Sequence, residues 1–315
     1  MKRVIEHINE SKHTAFSFEV LPPLKGNNIG RIHAIIDKLL DFDPKYINIT
    51  SHHSEWVDRV EDGGLIRRVN IRRRPGSVAI ASAIQSRYGI TAVPHIICKG
   101  FTKDETEYAL IDLNFLGIHD LLLLRGDDKN SPSDPSPYHS HATDLQQQVN
   151  SFNHGLALDG TAFEGIDTPF SYGMACYPEK HEEAPNMESD IFYAREKVRQ
   201  GADYLVTQMF FDNARYYEFV SRMRAEGVEA PIIPGVKPIV LLNQLTVLPK
   251  IFRSEIPEAL AAELRKCKTD DDAKEVGVEW CIEQCRDLIA HGVPSLHFYT
   301  LMATESVRRI AKTIY

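Results

Sequence analysis

The sequence predicts an α/β fold of the (β/α)8 TIM-barrel class, arranged as a single domain over its 315 residues. Three observations predict it. Eight short β-rich runs alternate with helix-like segments along the chain. Several of the runs are apolar at nearly every position, as strands covered on both faces must be. Polar and charged side chains then collect at the C-terminal ends of the runs, where this fold assembles its sites. A doubly wound open sheet would need a phosphate-binding glycine fingerprint after its first strand, and "EVLPPLKGNNIG" is not one.

The first run, "TAFSFEV" (14–20), contains one carboxylate, Glu19, and is stopped by two prolines. In "IGRIHAIIDKLLDF", Ile32, Ile35, Ile36, Leu39 and Leu40 fall on one helical face. "YINIT" (46–50) and "TAVPHIIC" (91–98) are the second and third runs, and the basic stretch between them, "IRRVNIRRRPG" (66–76), reads as a solvated helix end and loop. The fourth run, "DLLLLRG" (120–126), opens onto "GDDKNSPSDPSPYHSHA" (126–142), whose Pro, Ser and Asp content predicts a long loop of the kind that serves as a lid. The segment "NSFNHGLALDGTAFEGIDTP" (150–169) has too many breaks for a helix end and is expected to be an insertion on the opposite face, with a small hairpin in "LALDGTAFEG". "FSYGMACYP" (170–178) is the fifth run, and the helix "DIFYAREKVRQGA" after it stops at Gly201. "ADYLVTQMFF" (202–211), "APIIPGVKP" (230–238) and "SLHFYTL" (295–301) complete the eight.

Composition narrows the function classes. No run of about 18 apolar residues exists to span a membrane. The start "MKRVIEHINESKH" has no apolar signal region, so a cytoplasmic location is expected. Five scattered cysteines suit free thiols in a reducing compartment, and Cys281 and Cys285, one helical turn apart, lack further ligands for a metal; none is expected. A net charge of −8 argues against nucleic acid as the main partner. The expected partners are small molecules and further copies of the chain in a homo-oligomer.

The strand ends carry Glu19, Thr50, His95, Arg125 with Asp127, Tyr177, Gln208, Lys237 and Tyr299. A carboxylate lodged in an apolar strand end, as Glu19 is, should have its pKa raised and hold a proton near neutrality. A structural role, with Glu19 paired to Arg125 or Lys237, is the competing reading. At the level of function two rivals stay open: a metal-dependent lyase using His52, His53 and His95, and a binding protein without turnover.

"FSFEVLPP", "PHIIC", "LRGD", "YPEKHEEA", "KVRQGADYLVTQMFFD", "PIIPGVKPI" and "HFYTL" together resemble, in order, the motifs of the bacterial 5,10-methylenetetrahydrofolate reductase family, flavoproteins of (β/α)8 fold. The resemblance runs from about residue 12 to 305 and is to the short bacterial form, without the regulatory domain of eukaryotic relatives. It implies non-covalent FAD, with NADH or NADPH as cosubstrate and NADH suggested by the short form. It also implies ping-pong reduction of 5,10-methylenetetrahydrofolate to 5-methyltetrahydrofolate, in one-carbon metabolism and methionine supply. Matched motif by motif, it implies FAD contacts at Thr50, His95, Arg125, Gly126, Asp127, His141, Ala142, Tyr177, His181, Asp190 and Lys197, and folate contacts at Glu19, Gln208, Leu242 and Tyr299. Glu19 would protonate the bridging nitrogen of the folate, and Asp127 would favour a cationic folate iminium. There are departures. His141 stands where the family often has a tyrosine, Tyr193 and Glu196 where the best-known pattern has Asn and Arg, Leu242 where relatives can have an aromatic, and Met302 in place of Asn.

Overall fold

The apolar runs become strands because their side chains are buried on both faces. A computed structural model of the chain describes residues 1–52, 54–126, 137–301 and 303–315. The chain begins with α1 (Val4–Glu10), β1 (Ala15–Val20), α2 (Gly30–Asp37), β2 (Tyr46–Ile49), β3 (Glu55–Val60), β4 (Ile66–Ile71) and α3 (Ser77–Tyr88). It continues with β5 (Thr91–Ile97), α4 (Lys103–Phe115), β6 (Asp120–Leu124), α5 (Ala142–Asn153), β7 (Ser171–Cys176), α6 (Met187–Arg199), β8 (Tyr204–Thr207) and α7 (Asn213–Ala225). The last elements are β9 (Ile232–Ile233), β10 (Gly235–Val236), α8 (Gln244–Phe252), α9 (Glu258–Lys266), α10 (Asp270–Ala290), β11 (Ser295–Phe298) and α11 (Thr304–Ile314).

The main sheet has the order β10-β11-β1-β2-β5-β6-β7-β8-β9. Its first and last members are halves of one run, split only at Pro234, so the order returns to its own start and the fold is a (β/α)8 barrel. Ile233 pairs with Val206 of β8, whereas Gly235 pairs with His297 of β11. The run changes neighbours at a proline, which has no N–H to donate to either ladder.

Two local readings of the sequence are corrected. The basic stretch 66–76 is not a helix end: Ile66–Ile71 is a strand, paired antiparallel with Glu55–Val60 from Val60↔Ile66 to Glu55↔Ile71. Gly63 and Gly64, both at positive φ, supply the turn. Leu40 does not share the buried face of α2. The helix stops at Asp37 and a 3₁₀ turn follows at Leu40–Phe42, so Leu40 is exposed while Ile32, Ile36 and Leu39 are buried.

The chain groups into two units. One comprises 21–33 and 48–172 together with Met1. In it β5 and β6 pair in parallel, His95↔Leu122 to Ile97↔Leu124. The Ser77 hydroxyl at the start of α3 donates to the His95 carbonyl at 3.1 Å. α4 starts at a reciprocal cap, Thr102 accepting from Glu105 N–H and Glu105 from Thr102 N–H. After α5 the chain forms an antiparallel bridge, Leu156↔Ala162, and Leu158 N–H donates to Glu107 of α4 at 2.7 Å.

The other unit comprises 2–20, 34–47 and 173–315. Phe16 is its aromatic hub, with ring centroids 5.5 to 5.9 Å from Phe18, Phe42, Phe298 and Tyr315. A second cluster gathers Met209, Phe211, Ile239, Leu248, Leu260, Leu264 and Ala273, with Leu242 and Tyr299 packed against it. No helix among the described residues is long and apolar enough to cross a membrane.

Candidate functional site

Three adjacent strands of the second unit end in titratable groups. β1 pairs with β11 up to Phe18↔Phe298, and β10 pairs with β11 at Val236↔Phe298. The next residue on each strand is Glu19, Tyr299 or Lys237, so these three are neighbours across the sheet at its C-terminal end. Glu19 and Lys237 are buried, each 5% exposed. Burial pushes the Glu19 carboxyl up to about 7, against the pull of the Lys237 charge. Burial lowers the pKa of Lys237, and the Glu19 charge works the other way. Among the described residues the two do not approach within ion-pair distance, so the structural reading in which Lys237 neutralises Glu19 by contact does not hold. Tyr299 forms part of the wall: its hydroxyl donates to the Thr207 carbonyl at 2.6 Å, its own carbonyl accepts from Lys237 Nζ at 3.4 Å, and its phenol is pushed well above its ordinary pKa by burial and then by the Glu19 charge. The Glu19 backbone carbonyl accepts from the Thr300 hydroxyl, which fixes the strand end beneath the carboxyl. The sequence marks Lys237 as a strand-end residue, and its place between Pro234 and Pro238 in an apolar run is the signal that it is buried.

The loop after β7 holds the next group. Tyr177 and His181 meet edge to face at 4.6 Å between centroids. His181 N–H donates to Asp190 Oδ2 at 2.9 Å, and Asp190 is buried on the first turn of α6. Lys197, from the same helix, donates to the Ala175 carbonyl of β7 at 2.8 Å, and burial lowers the pKa of its amine. Gln208 follows β8: its backbone N–H donates to the Cys176 carbonyl at 2.8 Å and its Oε1 accepts from Met209 N–H at 2.9 Å. The side-chain NH₂ of Gln208 has no partner among the described residues. Leu242 is held by its N–H to Asp270 at 2.8 Å. Tyr193 is exposed and Glu196 is engaged by Arg195 and Arg199.

In the first unit, Thr50 follows β2 and its hydroxyl is 3.4 Å from His52 Nε2. His95 is buried, with Nε2 3.2 Å from Asn48 Oδ1. Asn48, a buried amide in an otherwise apolar strand, is a site neighbour that sequence reasoning passed over although "YINIT" displays it. Arg125 and Gly126 follow β6, and the Arg125 carbonyl accepts from Lys99 N–H at 3.0 Å. Gly126 sits at φ +85°, a conformation that favours glycine. His141 is the N-cap residue of α5, its N–H donating to Asp144 at 2.9 Å, and Ala142 begins the helix. Asp127, His53 and Met302 lie outside the described residues. Among the described residues, no three His, Cys, Asp or Glu side chains gather as a metal site.

A family model described as "Methylenetetrahydrofolate reductase" matches residues 3–315. The chain belongs to the methylenetetrahydrofolate reductase family. Among curated relatives it is similar to a probable methylenetetrahydrofolate reductase (NADPH) of Caenorhabditis elegans, 29% identical over 90% of this chain and 44% of that protein. It is likewise similar to methylenetetrahydrofolate reductase (NADH) 1 of Arabidopsis thaliana, 29% identical over 96% of this chain and 48% of that one. The chain thus spans less than half the length of these two relatives. The 5,10-methylenetetrahydrofolate reductase of Escherichia coli is 28% identical over 95% of this chain and 90% of its own length. A solved structure described as an uncharacterized protein from Clostridium thermocellum that binds two copies of 5-methyl-5,6,7,8-tetrahydrofolic acid shares the fold, with a TM-score of 0.56, 16% identity and coverage of 98% of this chain and 97% of that one.

Proposed function

We propose that this member of the methylenetetrahydrofolate reductase family reduces 5,10-methylenetetrahydrofolate to 5-methyltetrahydrofolate, with NADH or NADPH as reductant and FAD as cofactor, in two half-reactions that share one site. The observation that carries the reading is Glu19: a family member keeps a carboxyl in its buried strand end that titrates at about 7. Such a group is an acid that is still loaded near neutrality and matched to proton transfer there. Opening the methylene bridge of the folate breaks a carbon–nitrogen bond. The electron pair stays on the bridging nitrogen and takes the proton from Glu19, leaving an iminium at the other nitrogen that is ready for hydride. The pull of Lys237 on the Glu19 pKa is downward, so it favours the carboxylate left behind. Gln208 turns an amide donor toward the pterin's amide-like edge, a role for which an ionised Glu would lack the hydrogen.

The donor set suits FAD. Lys197, His181 and Arg125 are donors of the kind that take a pyrophosphate, and Asp190 holds the His181 segment in place through its backbone. By the family resemblance, Thr50, His95, Gly126, Asp127, His141, Ala142 and Tyr177 are further proposed FAD contacts. FAD supplies the hydride acceptor and donor that no protein side chain provides. Single-domain flavin binding over 1–315, action on soluble small molecules in the cytoplasm, and assembly into a homo-oligomer belong to the same proposal. The test is an absorbance spectrum of the purified protein, recorded before and after anaerobic addition of NADH or NADPH and again after methylenetetrahydrofolate. A yellow protein bleached by the nucleotide and recoloured by the folate is expected. A protein that fails to take up added FAD overturns the proposal.

A further inference from the structure

The β3–β4 hairpin, wholly within the first unit, has no part in the chemistry above. It is a two-stranded sheet of its own, and neither outer edge is paired among the described residues. From Asp58 to Arg68 every residue is exposed, so the distal half of the hairpin has nothing packed on either face. It is nonetheless fully formed. The register runs unbroken to Val60↔Ile66, Glu61 N–H donates to the Leu65 carbonyl at 2.8 Å, and Gly64 N–H donates to the Glu61 carbonyl at 3.1 Å. A bare two-stranded hairpin is marginal in water unless a further layer covers it. Its end also displays Val60, Leu65 and Ile66, which are 76%, 70% and 69% exposed.

The register sorts the side chains onto two unlike faces, because successive cross-strand pairs point to opposite sides of the sheet. One face carries Val60↔Ile66 at the end and Asp58↔Arg68 beside the other strand positions of that face. Asp58 and Arg68 have opposite charges, yet neither has an ionic partner among the described residues. The other face sets Arg59 opposite Arg67, with Glu61 at 3.3 Å from Arg67.

We propose that the face bearing Val60, Ile66, Asp58 and Arg68 is the contact surface for a second copy of this chain, the two hairpins stacking about a twofold axis that runs along the strands. Such an axis lays β3 of one copy over β4 of the other. Val60 then meets Ile66 of the second copy and Asp58 meets Arg68 of the second copy, and each contact is made twice, as in any isologous interface. One acid and one base in exchanged places on the two strands make the patch complementary to itself. The opposite face is unsuited to this, because stacked on its own copy it would gather four guanidinium groups. An anionic lipid surface is the poorer occupant, since Glu61 and Asp62 stand at the turn that would lead into it. The inference deepens the homo-oligomer part of the proposal above and is independent of its chemistry. The patch is small, so the association belongs to the weak, concentration-dependent class.

The test is sedimentation velocity of the full chain over a roughly hundredfold range of concentration, for the wild type, Ile66→Asp, Asp58→Arg, Arg68→Asp and an equimolar mixture of the last two. All three positions are exposed, so unchanged thermal midpoints are expected at low concentration. The wild type should show a doubling of mass as concentration rises. Each single variant should weaken that step by at least about tenfold, because each change enters the interface twice. The mixture of Asp58→Arg with Arg68→Asp should restore it, since only the mixed pair sets opposite charges together at both contacts. Misfolding cannot produce that recovery. A wild type without the doubling overturns the inference, as does a doubling that Ile66→Asp leaves intact, or a mixture that stays apart like its components. A wild type that stays monomeric but pellets with phosphatidylglycerol vesicles overturns it in favour of a lipid surface. Bleaching by NADH is read on the same samples. A protein that bleaches without doubling keeps the proposed chemistry and loses the surface, whereas one that doubles through the hairpin and takes up no FAD keeps the surface and loses the chemistry.

Discussion

Glu19 and Lys237 are buried on strands that flank β11, and each shifts the other's titration without the two forming a contact pair. The separation is what leaves Glu19 able to keep its proton. A contact pair would hold the carboxyl ionised, whereas burial alone would leave its ionised form without any stabilising charge.

Glu19→Gln should therefore separate the half-reactions. Glutamine keeps the size and the hydrogen-bonding capacity but has no proton to release. Flavin content and bleaching by NADH are expected to survive, and reoxidation by methylenetetrahydrofolate to slow by a factor of about 10² to 10⁴. Rapid mixing of each half-reaction checks this, and equal loss in both would mean that Glu19 holds the site together instead.

The folate half-reaction should fall as pH rises through about 7, because the acid must enter the step protonated. Lys237 pulls the Glu19 pKa down. Lys237→Met, which keeps the apolar stem and drops the charge, should then move the falling limb to higher pH. A limb that stays in place or moves to lower pH would show that another group is being read.

The same shift has a stability consequence of defined sign. Burial pushes the folded Glu19 carboxyl up to about 7 from its ordinary 4.5, so the native state holds a proton that the unfolded chain gives up across that window. The stabilisation is full below the unfolded value and is lost as pH rises toward the folded one, by an amount on the order of 3 kcal/mol. Glu19→Gln should thus be more stable than the wild type at about pH 8, by up to that amount, and nearly equal to it at about pH 4.5. Urea unfolding at the two pH values reads the difference.

The contrast between what could and could not be read from sequence follows from where each signal resides. β1, β5 and β6 are legible because burial on both faces leaves little but apolar residues in them. Strands β3 and β4 lack that signature: Glu55, Asp58 and Arg59 interrupt the first and Arg67 and Arg68 the second. A carboxylate inside "FSFEV" is conspicuous in one dimension. The adjacency of Glu19, Tyr299 and Lys237 depends on register between strands about 60 (β10 and β11) and 280 (β1 and β11) residues apart in sequence, and no local pattern encodes it. Lys237 is named by the sequence as a strand-end residue, but its burial beside Glu19 without contact shows only once the strands are assembled.

Asp190 anchors the loop after β7 by accepting the His181 N–H from a buried position. Asp190→Ala leaves that N–H without its charged acceptor, a loss of about 1.5 to 3 kcal/mol. FAD affinity, measured by recovery of flavin fluorescence on dilution, should drop at least about tenfold. Asp190→Asn keeps a carbonyl oxygen in place and should recover part of it.

Gly277 reports on Lys237 from a distance. It lies within α10 where the helix crosses the backbone of Ile239, two residues beyond Lys237, and an added Cβ there would come within 2.0 Å of the Ile239 carbonyl oxygen and 2.7 Å of its carbon. These are backbone atoms, so relief requires the helix or the strand end to move. Alanine is favoured over glycine in a helix by about 1 kcal/mol, yet overpacking at this site should outweigh that gain and leave a net loss of roughly 1 to 3 kcal/mol in urea unfolding. The displaced strand end carries Lys237 with it, so Gly277→Ala should also shift the falling pH limb of the folate half-reaction while leaving bleaching by NADH unchanged. A variant at least as stable as the wild type, with its pH limb in place, would show that α10 does not fix the position of Lys237.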